Sequence, residues 1–565
     1  MMRRLSLAAL GLCLLVPCVS AQGFDELLPD STLFYMSIED VARTKERYKA
    51  SSLSALWNDP AIQAFLEVPS KSWAKMIESS KKHGVTLDDM ADVLNGKFVF
   101  AIVAGDDAPM IFLADVKGNE GKLREILRLN RENAEENQHR VEEEDFRGIS
   151  LTRISKTVGD EEQEVLSYFH DDGLLAVADR AEDLRALIAR RGEAEGTLAS
   201  KEHYREVRRR LGGRGDVFLF LDMQQVKKTL IERKTFDAKD IAIYDALGLG
   251  PVQSVAMSMA LAEDGLRMQM QVSHTGKKEG FLKLFAAENR RREAPRWVPE
   301  DAVEVGVFAF NLAELWDEIV KVADKVSPGA GVMMAGALEM TKGATGVDIK
   351  TDLLGALGDE ISYYIKLPDP AEAGAMFPMG AAGNVPIPRM VFSFQVKDMP
   401  RFEGALNKLL AAGGEVEERE YLGVKMRVFQ LGLPIVPAFA LLPGEFIFAL
   451  QVDDLKEVIS RHGKDVKGLV DSDMYERVLA GLPAERAWMS FTDVAKSLSG
   501  SMFWLGLASG MGNAKLPTED VLKKYLDGSA SVMVNEDNAI AFHWLVRLKP
   551  RAKGDGDDES DDDGR

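Results

Sequence analysis

The sequence predicts an α+β fold built from two tandem related units, each a largely antiparallel curved sheet with helices packed mainly on one face. Three observations predict it. A long stretch beginning near Leu28 is echoed, in order and at nearly constant offset, by a second stretch behind it. Short runs alternate in hydrophobicity and are joined by tight turns such as Asp171-Asp172-Gly173, which favours antiparallel neighbours. Amphipathic helical stretches fall between groups of strands rather than after each strand, which argues against a parallel, alternating architecture.

The echo is specific. Pro29 and Asp30 open the first unit as Pro299 and Glu300 open the second, and each pair leads into an apolar run, LFYMSI from Leu33 and VGVFAF from Val305. GVTLDDMADVLNGKFVF from Gly84 answers GVDIKTDLLGALGDEISYY from Gly346, and VEEEDFRGISLTRI from Val141 answers VEEREYLGVKMRVF from Val416. LASKEHYREVRRRL from Leu198 answers LVDSDMYERVLAGL from Leu469. The expected division is a signal peptide over 1–21, the first unit over 22–292, the second over 293–549 and a disordered acidic tail over 550–565.

Taken in order, each unit opens with a strand and then turns helical. Helical spacing runs over Val41 to Phe65, with a break at Asp59 and Pro60, then over Trp73 to Lys82, and in the second unit over Leu312 to Val326. A short helix after Leu87 leads to strands at Lys97 to Ala104 and Met110 to Val116; their counterparts are Glu360 to Leu367 and Arg389 to Val396. Longer helices follow at Lys122 to Glu136 and Met399 to Ala411. After two further strand pairs and a strand at Asp216 to Leu221, the units end in hairpins, Val252 to Leu261 with Leu266 to Ser273, and Ser529 to Val534 with Ala539 to Leu548. In these hairpins Val255, Met257, Met259 and Leu261 share one face, as do Ile540, Phe542, Trp544 and Val546. Such periodic apolar faces are expected to be core; the alternative is an adaptable methionine-lined groove.

Composition sets the address and removes several chemistries. Arg3 and Arg4, an apolar stretch from Leu5 to Val16 and small residues at Val19 and Ala21 have the layout of a cleaved export signal. A lipid anchor on Cys18 is the competing reading, disfavoured by Pro17 beside it. Export leaves a periplasmic or extracellular protein. Both cysteines, Cys13 and Cys18, lie in the signal, so the mature chain offers no disulfide, zinc-thiolate site or thiol nucleophile. No later segment reaches the roughly 20 apolar residues of a membrane-spanning helix. The net charge of −20 repels nucleic acid, so none is expected as a partner. The basic clusters at Arg208 to Arg210 and Arg290 to Arg292 are placed near helix ends, where cations meet the negative end of the dipole.

Catalytic signatures are absent from the pattern. The seven histidines form no close pair at metal-ligand spacing, and no cofactor or metal is expected. His170 beside Asp171 and Asp172 marks a hairpin turn rather than a ligand set. GLASG from Gly506 is out of register for a nucleophile elbow, and Gly329, Gly331 and Gly336 lack the following phosphate-gripping lysine. In the tail, Asp555, Asp557, Glu559 and Asp561 alternate but lack the glycine and closing glutamate of a calcium loop.

One asymmetry between the units points to binding. Where the first has a short turn, the second inserts a long loop from Pro368 to Pro388. Its Met376, Phe377, Met379 and Ile387, together with Phe503 and Trp504 in a second apolar region, are the candidate contacts for a partner protein, a hydrophobic ligand or a peripheral membrane surface. The competing expectation is that they fold back over the core.

LPDSTLFYMSIEDVARTKERYKASSLSALWNDPAIQAFLE and GVDIKTDLLGALGDEISYYI resemble a family of exported bacterial proteins described only as a domain of unknown function. The resemblance rests on an opening Pro29, Thr32 and Tyr35 and on a helix ending at Leu357 to Glu360, and it implies no catalytic residues. The leading expectation is therefore an exported, non-enzymatic binding or scaffold protein. A carrier of hydrophobic ligands or lipids and an Asp/Glu-dependent hydrolase are the alternatives.

Overall fold

Period-two alternation marks extended runs, and in the computed structural model of the chain the strands stand close to where that alternation placed them. Residues 23–64, 93–105, 107–213, 215–368, 376–378, 384–386, 389–413, 416–431, 435–508 and 517–550 are described. The expected signal segment, the helices at Trp73 to Lys82 and after Leu87, and the tail from residue 551 lie outside them. The chain divides into two compact units, one holding the described residues within Met1–Val41, Ser80–Arg210 and Leu219–Thr229, the other those within Ala42–Ser79, Leu211–Phe218 and Leu230–Arg565.

The first unit carries β1 (Thr32–Ile38), β2 (Phe98–Val103), β3 (Met110–Asp115), β4 (Arg140–Phe146), β5 (Ile149–Val158), β6 (Glu161–Asp171) and β7 (Leu174–Ala178). They pair antiparallel in the order β1-β2-β3-β7-β6-β5-β4. β8 (Val217–Asp222), which belongs to this unit from Leu219 onward, also pairs with β1. The turn between β6 and β7 is made by Asp172 and Gly173, both with positive φ (46° and 76°). That conformation suits the twist of a two-residue hairpin, and Asp and Gly tolerate it best. Helices α1 (Glu120–Glu136), α2 (Ala181–Ala189) and α3 (Glu202–Leu211) belong to the unit, as does most of a helix that follows β8 at Met223–Glu232. Arg208 to Arg210 stand in the last turn of α3, as the charge pattern predicts.

The second unit begins with β9 (Val252–Ala262) and β10 (Gly265–His274), followed by β11 (Arg290–Arg291), β12 (Glu304–Ala309), β13 (Leu357–Lys366), β14 (Met376–Pro378), β15 (Asn384–Pro386) and β16 (Arg389–Val396). It continues with β17 (Val416–Tyr421), β18 (Val424–Phe429), β19 (Ala438–Leu442), β20 (Glu445–Ala449), β21 (Glu485–Arg486), β22 (Trp488–Asp493), β23 (Leu526–Asn535) and β24 (Ala539–Leu548). The main sheet runs β9-β10-β24-β23-β22-β12-β13-β16-β20-β19-β18-β17, antiparallel throughout. Its stretch β12-β13-β16-β20-β19-β18-β17 has the same connectivity as β1-β2-β3-β7-β6-β5-β4. Helices α4 (Leu312–Val326), α5 (Met399–Gly413), α6 (Val452–Arg461), α7 (Asp473–Leu479) and α8 (Val494–Ala508) belong here. The main core lies between the sheet and α6 and α7, where Tyr364, Val428, Ile447, Leu455, Val458 and Phe491 are fully buried.

Four expectations change. In β9 the buried side is Ser254, Ala256 and Ser258, while Val255, Met257, Met259 and Leu261 are only half-buried; in β24, Phe542, Trp544 and Val546 are likewise half-buried. Small side chains allow a closer approach from above, so the less apolar face is the covered one. Leu357 to Glu360 do not end a helix but open β13, after short helical turns at Ile349–Leu353 and Leu354–Ala356. The helical run from Val41 breaks early, because Ser51 caps a new helix at Ser52–Trp57 by accepting from the Ser54 N–H. Arg290 and Arg291 form β11 against β21 rather than a helix end, and Arg292 is buried with its guanidinium 2.7 Å from Glu360.

Charge is also taken into the second unit's interior. Asp454, fully buried on α6, accepts from Arg389 Nε at 2.9 Å and from its terminal nitrogen at 2.5 Å. Burial pushes the Asp454 carboxyl above its ordinary pKa, and the Arg389 guanidinium only partly offsets this. Removing the cation strands a buried charge, so Arg389→Leu is expected to cost about 3–5 kcal/mol near neutral pH. Because the folded-state pKa is raised, the carboxyl is favoured protonated in the fold at low pH. The loss in Arg389→Leu should therefore shrink as pH falls through the Asp454 pKa, and urea unfolding from acid to neutral pH measures it.

Candidate functional site

An amphipathic helix laid across a sheet must fill the layer between them, and in the first unit it does not. Helix α1 presents Leu123, Ile126, Leu127 and Asn130 at the i, i+3, i+4, i+7 spacing of one face. Beneath it, two ranks of side chains cross the sheet by register. Phe98, Ala114 and Leu175 stand side by side on β2, β3 and β7, and Phe112, Val177 and Tyr168 on β3, β7 and β6. With Val93, Leu94 and Leu166 these residues line a cavity of about 520 Å³. That is within the usual range of small-molecule sites, about 300–1,000 Å³. Asn130 and the Tyr168 hydroxyl are its polar groups, and Phe112, 37 % exposed, stands at its rim.

The same place in the second unit is full. By register, Phe394 and Phe446 stand on β16 and β20 where the first unit has Ala114 and Leu175, beside Ile361 where it has Phe98. Phe402 of α5 takes the place of Leu123. Phe446 is the hub, with ring centroids 5.9 Å from Phe394, 5.3 Å from Phe402 and 5.4 Å from Phe439. Such pairs add to plain area burial. Three aromatic rings thus occupy what an alanine and two leucines leave open.

The cavity wall holds no carboxylate, histidine, lysine or serine. It can take up apolar matter, and its polar groups are limited to Asn130 and Tyr168. Buried carboxylates elsewhere are tied into ion pairs. Asp222 of β8, fully buried, is met by Lys201 at 2.5 Å and by His203 at 3.0 Å. Burial opposes its charge, but the hydrogen bonds from His203 and Lys201 outweigh it and hold the carboxyl below its usual pKa. Asp222 also caps the following helix through the Gln225 N–H. No helix among the described residues is long and apolar enough to cross a membrane.

The residues singled out in the sequence fall elsewhere. Met376 and Phe377 lie in β14, which pairs with β15 as a small separate hairpin inside the long loop. Met379 and Ile387 are outside the described residues. Phe503 and Trp504 lie in α8, whose backbone runs beside β15, so the two expected apolar regions are neighbours. The cavity residues carried a signal that sequence reading missed, the replacement of Ala114, Leu123 and Leu175 by phenylalanine at the matching positions of the second unit.

A family model described as Protein of unknown function (DUF3352) matches residues 88–383, just over half of the 565 residues. The chain belongs to the DUF3352 family. The match contains the GVDIKTDLLGALGDEISYYI motif of this DUF3352 protein but not its opening Pro29, Thr32 and Tyr35, and it runs across the expected division at 292/293. It includes every cavity-lining residue. No curated protein matches. Among solved structures, TP0453 is matched in crystal form I over 48% of this chain and 90% of that chain, with 8% identity and a TM-score of 0.25. Its crystal form III gives the same score over 47% and 88%. Likeness at that level carries no argument about fold or function.

Core packing predicts a contrast between the units. Phe446→Ala removes a ring from a filled cluster and should cost about 3–5 kcal/mol. Leu175→Ala only widens an existing void and should cost about 2 kcal/mol or less. Denaturant unfolding of the two variants checks this.

Proposed function

We propose that the protein is an exported, non-enzymatic binding protein that carries an apolar ligand in the cavity beneath α1. The observation that carries this reading is the cavity itself, an apolar space of about 520 Å³ walled by the core of a sheet whose counterpart in the second unit is packed with aromatic rings. Between the expectations of scaffold and carrier, the cavity favours the carrier. A structural protein gains nothing from an unfilled core, because voids forfeit dispersion contacts and cost stability. The hydrolase alternative lacks support in the same place, since the cavity wall supplies no acid–base pair. Export to a periplasmic or extracellular site is part of the proposal and rests on the 1–21 segment.

Duplication supplies the logic. In this reading the two strand sets descend from one ancestral module, as their common connectivity and their matched sequence segments suggest. One copy kept or gained a hollow, and the other became a filled support. An apolar ligand bound there is held by area burial, about 25 cal/mol per Å² of apolar surface removed from water.

Transplanting the second unit's side chains into the first tests the proposal. The mature protein should bind the environment-sensitive apolar probe 1-N-phenylnaphthylamine with enhanced fluorescence, and native mass spectrometry should show co-purified apolar ligand. Ala114→Phe combined with Leu175→Phe should abolish both while leaving the unfolding midpoint unchanged or raised. Should the double variant misfold, Leu123→Phe alone blocks the same space. Equal probe binding by a folded, filled variant would overturn the reading.

A further inference from the structure

The helix at Ala330–Thr345 in the second unit is covered on one side only. Its Met334, Leu338 and Thr345 are half-buried and it lies against α4 and α5, while the opposite side faces water with Val332, Met333 and Met340 exposed at 74, 72 and 77 %. These are the three most exposed large apolar side chains among the described residues. A lone apolar side chain on a surface is ordinary, but three that adjoin on one helix mark a contact surface.

Glycine marks the same side. Gly336 and Gly343 stand inside the helix, without a positive φ, where glycine lowers stability relative to alanine because it gives up more backbone freedom on folding. A Cβ at either position would meet no atom within 4 Å. Nothing packed against the helix therefore calls for glycine at these two places. What glycine provides there is close approach by a second backbone from outside, at the short end of the 8–10 Å that usually separates packed helix axes.

The order of these residues says what approaches. Met333, Gly336, Met340 and Gly343 follow one another at steps of three, four and three, the spacing of a helical seam, and large alternates with absent side chain along it. Turned end for end about a two-fold axis at Leu338, the seam meets itself with Met333 opposite Gly343 and Gly336 opposite Met340. Every layer then pairs one long side chain with one gap. A seam of methionine alone would hold two helices apart, and one of glycine alone would leave voids. The complement of this helix is the same helix, inverted. Charge agrees, because the helix carries only Glu339 and Lys342 and no net charge, whereas the chain carries −20. Two copies can meet here without the repulsion that opposes contact elsewhere on an acidic surface. The inverted pairing also sets opposite ends of the two helix dipoles side by side.

We propose that the helix Ala330–Thr345 is the surface through which two copies of this protein associate, antiparallel about Leu338, with the methionines of each seated over the glycines of the other. A seam about 24 Å long covers less than the roughly 1,600 Å² of a standard interface. The dimer is therefore weak and reversible, and it forms as concentration rises. The contact uses none of the cavity residues, so it does not rest on the carrier reading.

Sedimentation of the mature protein over a concentration series tests this, with denaturant unfolding to confirm that each variant is folded. The unsubstituted protein should pass from monomer to dimer. Met333→Ala combined with Met340→Ala should weaken association about 100-fold. Gly336→Met combined with Gly343→Met should weaken it as much, because methionine then meets methionine in every layer; unspecific apolar adhesion would instead strengthen with two added methionines. All four positions are exposed, so the monomer's fold is spared. Mixing the two variants restores one methionine and one small residue to every layer, and the mixture should associate within about tenfold of the unsubstituted protein. Monomers at every concentration, even ones retained by lipid vesicles, would overturn the proposal. So would a glycine-substituted variant that associates as tightly as the unsubstituted protein, or a mixture no tighter than its two parts. The 1-N-phenylnaphthylamine result is independent of either outcome.

Discussion

The second unit hangs on the antiparallel pairing of β10 with β24, which runs without a break from Gly265 opposite Arg547 to Ser273 opposite Ala539. An unpaired edge strand is a liability, since its free N–H and C=O groups recruit other chains. Here each of the two terminal hairpins covers the inner edge of the other. The pairing centres on Gln269 opposite His543 and Met270 opposite Phe542, so the two strands meet at matching places along their lengths. A slip of one residue would exchange the two faces of the sheet, turning Gln271 and Ser273 out and the methionines in. Register here therefore governs what every strand from β23 onward presents to its helices.

Connectivity does not dictate filling. The strand sets β1-β2-β3-β7-β6-β5-β4 and β12-β13-β16-β20-β19-β18-β17 pair in the same order, and each lays a long helix across the third and fourth strands of the set. In one, Phe394, Phe402 and Phe446 close the space between helix and sheet; in the other, Ala114, Leu123 and Leu175 leave it open. The strand order that tolerates both is the same, so side-chain differences at matched positions separate a packed layer from a hollow one. This is the physical basis for reading the protein as a carrier rather than as an enzyme.

The electrostatics fit that reading. A chain with a net charge of −20 holds its buried carboxylates against cations, Asp222 against Lys201 and His203, Asp454 against Arg389. These pairs fix helix starts and strand–helix contacts. They leave no free acid beside the cavity.

Much of this fold was legible because period-two alternation and turn chemistry are local. Asp172-Gly173 announced a hairpin, Leu312 to Val326 announced a helix, and the matched segments placed equivalent strands. Local pattern says which residues share a face but not which face is covered. Hence Met257 and Met259 were assigned to the core, while the structure buries Ser254, Ala256 and Ser258. The cavity was beyond reach for a related reason. Ala114, Leu123 and Leu175 are distant in sequence, and the volume they leave exists only when β3, α1 and β7 bring them together. By itself, then, the sequence determined the elements and their strand type, because backbone preference acts between neighbours. Only the tertiary structure decided where the empty space lies, because a void is a property of surfaces brought together from far apart in the chain.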